Sequence, residues 1–268
     1  MHGIGPPIVL DKSFAEGVTG PELHRIAENW TFVVPTAFLH EVFTTGPKSR
    51  MSTVRGLPSF RHLHLPDLLR HERSNDRPAT SWEAHPVNFG DQIGNKDWTA
   101  TQEVTAACES YDQKEVGCLV ELWREVARSR SIPGFENEEL LAALRHTDHF
   151  TKLCRTLRNH SRVLAVAEAM EPELAHKVDE TWITYRRIQA WALNALIIFR
   201  SHRSAATLSP KNLEHDTLDI EYLILALHAG ALATNESRDS VGKLGWRFKQ
   251  LRPGGLLADR HGRFTSVS

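Results

Sequence analysis

The sequence predicts an α/β protein with a mostly parallel sheet. Two stretches carry that expectation. Residues 7–45 alternate short apolar runs with proline-led helical patterns. Residues 214–239 run from an apolar helix through Gly230 into a second short apolar run and an acidic turn. Between them lies a long, mostly helical middle.

Taken in order, residues 1–6 read as a loose terminus. Pro7 to Leu10 is a strand ending in Asp11. Pro21 opens a helix, Trp30 to Val34 is a second strand, and Pro35 opens a helix carrying Glu41. Proline costs little in a helical first turn, where its missing N–H has no partner to lose. Ala37, Phe38, Leu39 and Val42 form the apolar face of this helix, with Glu41 at its edge.

Residues 46–98 are punctuated by glycine and proline, with one helical segment expected from Pro66 to Arg73. They hold Arg50, Arg55, Arg61 and Arg70 among aromatics such as Phe60 and Trp82. Basic residues interleaved with rings suit phosphate contact and base stacking. The alternative is a solvated basic loop. His62 and His64 have neither a cysteine partner nor an HExxH arrangement, so zinc is not expected.

Residues 99–204 read as a helical insertion. Thr99 and Gln102 suit a capping box. A long helix is expected from Pro172 to about Arg203, with Tyr185, Arg186 and Arg187 at polar positions. Glu214, Asp216, Asp219 and Glu221 then open an apolar helix that Gly230 closes. Ala231 to Ala233 is a strand. It delivers the turn Thr234-Asn235-Glu236-Ser237-Arg238-Asp239, expected to start another helix. Gly245 to Leu251 is expected to be a final edge strand, and residues 253–268 a flexible, Gly-rich tail.

One Asp after a strand, one Glu in a helix, one Asp early in a late helix and an acidic turn after a late strand form an ordered set. In this it resembles the PIN domain, a family of metal-dependent nucleases. The likeness covers roughly residues 6–45 and 213–252. It implies a three-layer α/β/α core from residues 1–45 and 205–252, carrying the helical middle as a large insertion. It implies Asp11, Glu41 and Asp219 as catalytic, metal-holding acids. A fourth acid would be Glu236 or Asp239. The family's T-x-D/N-x-x-D turn reads here as Thr234, Glu236 and Asp239, with Thr234 and Asn235 expected near substrate. Asn235 and Asp239 equally suit helix capping, and Asp216 suits dipole compensation. The cofactor implied is Mg²⁺ or Mn²⁺, which binds hard oxygen ligands and supplies charge stabilisation to phosphoryl transfer. The implied activity is phosphodiester hydrolysis, with RNA favoured over DNA, in a toxin or defence-type effector. A regulatory protein partner or a second copy of the chain is also implied. A PIN-like interaction module with weak catalysis is the alternative.

The formal net charge of −1 excludes a chain-wide polycation, so any nucleic acid must meet a local patch. Cys108, Cys118 and Cys154 are odd in number and lack C-x-x-C spacing, which suits a reducing, cytoplasmic setting. The run from Ala190 to Phe199 is too short to span a bilayer, and no membrane partner is expected.

Overall fold

A computed structural model describes residues 5–44, 60–79, 116–201, 210–259 and 263–268. Its centre is a six-stranded sheet in the order β3-β2-β1-β4-β5-β6. The strands are β1 (Pro7–Leu10), β2 (Thr31–Pro35), β3 (Phe60–Leu63), β4 (Ala231–Ala233), β5 (Leu256–Ala258) and β6 (Phe264–Ser266). All neighbours are parallel except β5 and β6. β1 and β4 are buried along almost their whole length, as apolar parallel strands must be.

On the N-terminal side, α1 (Lys12–Gly17) and α2 (Gly20–Ala27) connect β1 to β2. The Thr19 hydroxyl caps α2 by accepting the Glu22 N–H, with Pro21 in the first turn. α3 (Thr36–Thr44) leaves β2 directly. Glu221 accepts the Thr36 N–H at 2.9 Å, so a buried carboxylate sits at the positive end of this helix.

The helical expectations need several corrections. Within the expected helical insertion, residues 137–170 form three helices, α6 (Asn137–Arg145), α7 (Thr147–Thr156) and α8 (His160–Met170). α5 (Val116–Ser129) stands before them, while Thr99 and Gln102 lie outside the described residues. The long helix starts later than Pro172, as α9 (Ile183–Ser201). Tyr185 and Arg186 are buried rather than polar-facing, because Arg186 is held by Gln189 and Glu180. α10 (Pro210–Ala229) begins before the acids, which therefore lie inside it. Gly230 does close it, at φ +79, with its N–H on the Ala226 carbonyl.

Three further differences bear on the sheet. β3 arises within the stretch expected to be loop, followed by α4 (Leu65–Asn75). Leu244–Leu251 is a helix, α11, not an edge strand. The presumed tail contributes β5 and β6, and Phe264 stacks on Trp30 at 4.7 Å.

α10 packs across β1, β2 and β4 and also touches α3, α5, α9 and α11. α9 is buried on nearly every side, as a helix apolar all round should be. The N-terminus of α9 is fixed by one carboxylate. Glu72 of α4, fully buried, accepts the Ile183 N–H at 2.7 Å and the Thr184 N–H and hydroxyl at 2.8 Å. It also takes the Ala79 N–H at 3.2 Å. Removing it leaves several buried donors unpaired. Each costs about 1–3 kcal/mol, so Glu72→Ala is expected to lower stability by about 3 kcal/mol or more in chemical denaturation. A loss under about 1 kcal/mol would show that water replaces this cap.

Candidate functional site

The carboxyl ends of β1 and β4 lie side by side, in register at Leu10 and Ala233. The Asp11 N–H extends that pairing by donating to the Ala233 carbonyl at 3.0 Å. Asp11 stands at the N-cap position of α1, yet its carboxylate does not cap the helix. Its Oδ2 instead accepts from Thr234 Oγ1 at 2.6 Å and from the Ser13 hydroxyl. Ser13 was not legible as a site residue. Only the spatial neighbourhood of Thr234 reveals it.

The turn after β4 is built on the same atoms. Thr234 Oγ1 accepts the Glu236 N–H at 3.0 Å, while the Asn235 N–H donates to Ser13 Oγ and its amide to the Ser13 carbonyl at 2.7 Å. Gly17 makes room for this strut. A Cβ there would stand 1.9 Å from Asn235 Nδ2. The Asn235 side chain thus braces the turn against α1.

Glu41 reaches the same region from α3. Tyr222 of α10, itself fully buried, donates its hydroxyl to Glu41 Oε2 at 2.6 Å. Burial pushes the Glu41 carboxyl up to about 7 against the Tyr222 bond, and the Asp11 charge adds to the rise. Asp11 is also raised, first by burial and then by Glu236, although Ser13 and Thr234 oppose it.

Asp219 lies one turn before Tyr222 on α10. Its side chain is 30% exposed. Burial pushes it up to about 8. The charges of Glu236, Asp11 and Asp216 add to this, and Arg247 works against it. Arg247 of α11 is buried. It pairs with Asp216 at 2.6 Å and approaches Asp219 only to 3.8 Å. Its other donors go to Asn194 Oδ1 at 2.7 Å and the Gly242 carbonyl at 2.5 Å. One guanidinium, committed mainly to Asp216, does not offset the desolvation of Asp219.

Asp11 thus lies within reach of the charges of Glu41, Asp219 and Glu236, and Asp219 within reach of that of Glu236. Glu236 also accepts the Leu244 N–H at 2.7 Å, which caps α11. Asp239 stands apart. It is exposed and faces Lys249 and Arg238. The basic expectation divides. Arg50 and Arg55 lie outside the described residues. Arg61 is half-buried on β3, and Arg70 pairs with Asp67 at 2.7 Å.

All donors in this basin are carboxylate or hydroxyl oxygens, the chemistry a hard divalent cation selects. Among the described residues no three His, Cys, Asp or Glu side chains form a ready-made ligand set. One or two of these carboxylates could hold a largely hydrated ion, as Mg²⁺ is commonly bound. Asp11 and Asp219 are the residues that would hold it, with Glu41 and Glu236 beside them. Among the described residues no helix is long and apolar enough to cross a membrane.

A carboxyl raised in the folded state binds its proton more tightly there than in the unfolded chain. Stability then falls as pH rises toward the folded pKa, about 7 for Glu41 and about 8 for Asp219. His62 and His228, both lowered to about 4 by burial, act in the opposite sense. Their effect ends near the unfolded histidine value of about 6.5. Between pH 6.5 and 8 (a window set by these values), the metal-free protein should lose melting temperature. Asp219→Asn should flatten that loss. A melting temperature that rises across this window in the metal-free protein contradicts the assigned shifts.

Comparison with family models, with curated proteins and with solved structures finds no match to this chain.

Proposed function

We propose that this chain is a PIN-like, divalent-metal-dependent nuclease that hydrolyses phosphodiester bonds, with RNA the favoured substrate. One observation carries the reading. The Asp11 carboxylate, at the carboxyl end of β1 beside β4, lies within reach of the charges of Glu41, Asp219 and Glu236, and Asp11, Glu41 and Asp219 are each raised in pKa. In open α/β sheets that edge is where ligands bind. Such a concentration of like charge is costly unless a cation or protons neutralise it. The order Asp11, Glu41, Asp219, Glu236 is the one on which the PIN resemblance rests, and a central, mostly parallel sheet is what that resemblance implies.

A bound Mg²⁺ or Mn²⁺ would stabilise charge on the phosphoryl oxygens and lower the pKa of an attacking water. The chain's own residues orient the ligands. Ser13 and Thr234 hold Asp11 Oδ2 in one direction. Tyr222 fixes Glu41 through Oε2. Arg247 anchors α10 to α11 at Asp216 and so sets the depth of Asp219. Glu236, shared with the α11 N-terminus, tightens the turn beside them.

The Arg247 ion pair favours a second reading, a PIN-like interaction module in which the guanidinium supplies the positive charge a metal would bring. Cleavage separates the two. Purified protein should cut labelled RNA with Mn²⁺ and stop in EDTA. Asp11→Asn and Asp219→Asn should each reduce the rate by orders of magnitude, since metal stabilisation is worth several kcal/mol and each ~1.4 kcal/mol is tenfold. Asp239→Asn should leave it within a few-fold. Full metal-dependent cutting by the Asp219→Asn protein would falsify the assignment, and absence of any cutting by the unsubstituted protein favours the interaction module.

A further inference from the structure

Most cations of the described residues are answered by a nearby acid. Arg70 meets Asp67, Arg73 meets Glu171, Lys177 meets Asp76, and Arg162 meets Glu139. Several cations without an acid partner among the described residues follow one another along the chain from the end of α6 into α7, while others, such as Arg25 and Arg77, lie elsewhere. Arg145 ends α6, Lys152 and Arg155 lie on α7, Arg158 follows α7, and Arg200 comes from α9. Lys152 and Arg155 are three residues apart and share a helix face. Arg145 and Lys152 are exposed and, among the described residues, make no side-chain hydrogen bond or ion pair. Arg155 donates to Gln250 Oε1, and Arg158 donates to the Gln250 and Lys249 carbonyls. Arg200 donates to Thr147 Oγ1 at 2.8 Å and lies 4.4 Å over the Phe150 ring. The acid of this stretch is Asp148, in the first turn of α7.

Two further features suit a phosphate chain. The N-terminus of α7 has no side-chain cap, so its first N–H groups are available to an anion. His146 and His149 are exposed, with ring centroids 5.2 Å apart, and offer stacking surfaces between the cations. The ridge is also tied to the acidic basin. α7 packs on α11, whose N–H at Leu244 is capped by Glu236 and whose Arg247 reaches Asp216. From Leu244 to Gln250 the helix rises about 9 Å. Lys249 continues the positive track toward the acidic turn, with its carbonyl on Arg158 and its ammonium facing Asp239.

We propose that the α6–α7 ridge, centred on Arg145, Lys152 and Arg155, is a docking surface for the phosphate backbone of single-stranded RNA. The choice of RNA rests on the nuclease reading. The ridge itself rests on unpaired charge and position. An anionic membrane is less suited, because Leu141 is the lone exposed large apolar side chain of α6 and α7 and gives little area to insert.

The test uses the full-length Asp219→Asn protein and a short labelled single-stranded RNA, across a range of salt concentrations without divalent metal. Adding Arg145→Glu and Lys152→Glu should weaken binding at least about tenfold. It should also reduce the slope of log affinity against log salt by about 1.4, at about 0.7 per lost phosphate contact. Arg25→Glu with Arg77→Glu, exposed cations elsewhere, should change neither. If charge reversal lowers the melting temperature, the Arg145→Gln, Lys152→Gln pair reads the slope alone. RNA binding unaffected by the ridge substitutions overturns the proposal, whether or not the unsubstituted protein cleaves. Ridge-dependent binding to phosphatidylserine vesicles without RNA binding also overturns it and assigns the surface to lipid. Ridge-dependent RNA binding by a protein that never cleaves upholds the ridge and removes the nuclease reading instead.

Discussion

The parallel pairing of β1 with β4 is the constraint on which the rest depends. It joins residues near the start of the chain to residues near its end, with Leu10 opposite Ala233. Neighbouring strands lie about 4.8 Å apart, so whatever follows each strand meets at once. That is why Asp11 and Thr234 share a hydrogen bond and why Ser13 can hold Asn235. Parallel neighbours also require crossovers. α10 is the crossover into β4, and it carries Asp219 and Tyr222 over the same edge. No local segment could gather these groups.

Electrostatics then tie the helical region to this edge. Arg247 is the hinge of that connection. Its guanidinium joins Asp216 of α10 to Asn194 of α9, while its Nε closes the turn at Gly242. A buried charge of this kind is stable only when its donors are all engaged. The helices therefore do more than cover the sheet, since α9 and α11 together fix the height of α10. Glu72 does the same at the other end of α9, joining it to α4. Two buried ionic side chains thus set the position of α9, the helix buried on nearly every side.

Much of this was legible in the sequence, and the failures have physical causes. β1, β2, α2, α3 and β4 were marked by apolar runs, first-turn prolines and the glycine after α10. β5, β6 and β3 are three or four residues long and carry little periodicity to read. α11 was mistaken for a strand because Leu244, Trp246 and Phe248 alternate with other residues. The alternation misleads because Arg247 and Gln250 are buried too, each satisfied by a partner on another helix. The acids at positions 11, 41 and 219 could be named from their order along the chain. Ser13, Tyr222 and Arg247 could not, because their roles depend on distant neighbours, from the Arg247–Asp216 separation of 31 residues to the Ser13–Thr234 separation of 221. In the basic stretch, Arg70 and Arg73 are paired with Asp67 and Glu171, a pairing that depends on the fold and, for Glu171, on a residue far along the chain.

The central claim is that the acidic basin exists to hold a divalent cation against a substrate phosphate. Crystals of the full chain soaked in Mn²⁺ and measured at an energy where manganese scatters anomalously address it most directly. The account predicts an anomalous peak within coordinating distance, about 2–2.5 Å, of the Asp11 or Asp219 carboxylate, with Arg247 still on Asp216. A fully soaked crystal with no peak in the basin, and Arg247 closed over Asp219, would contradict it.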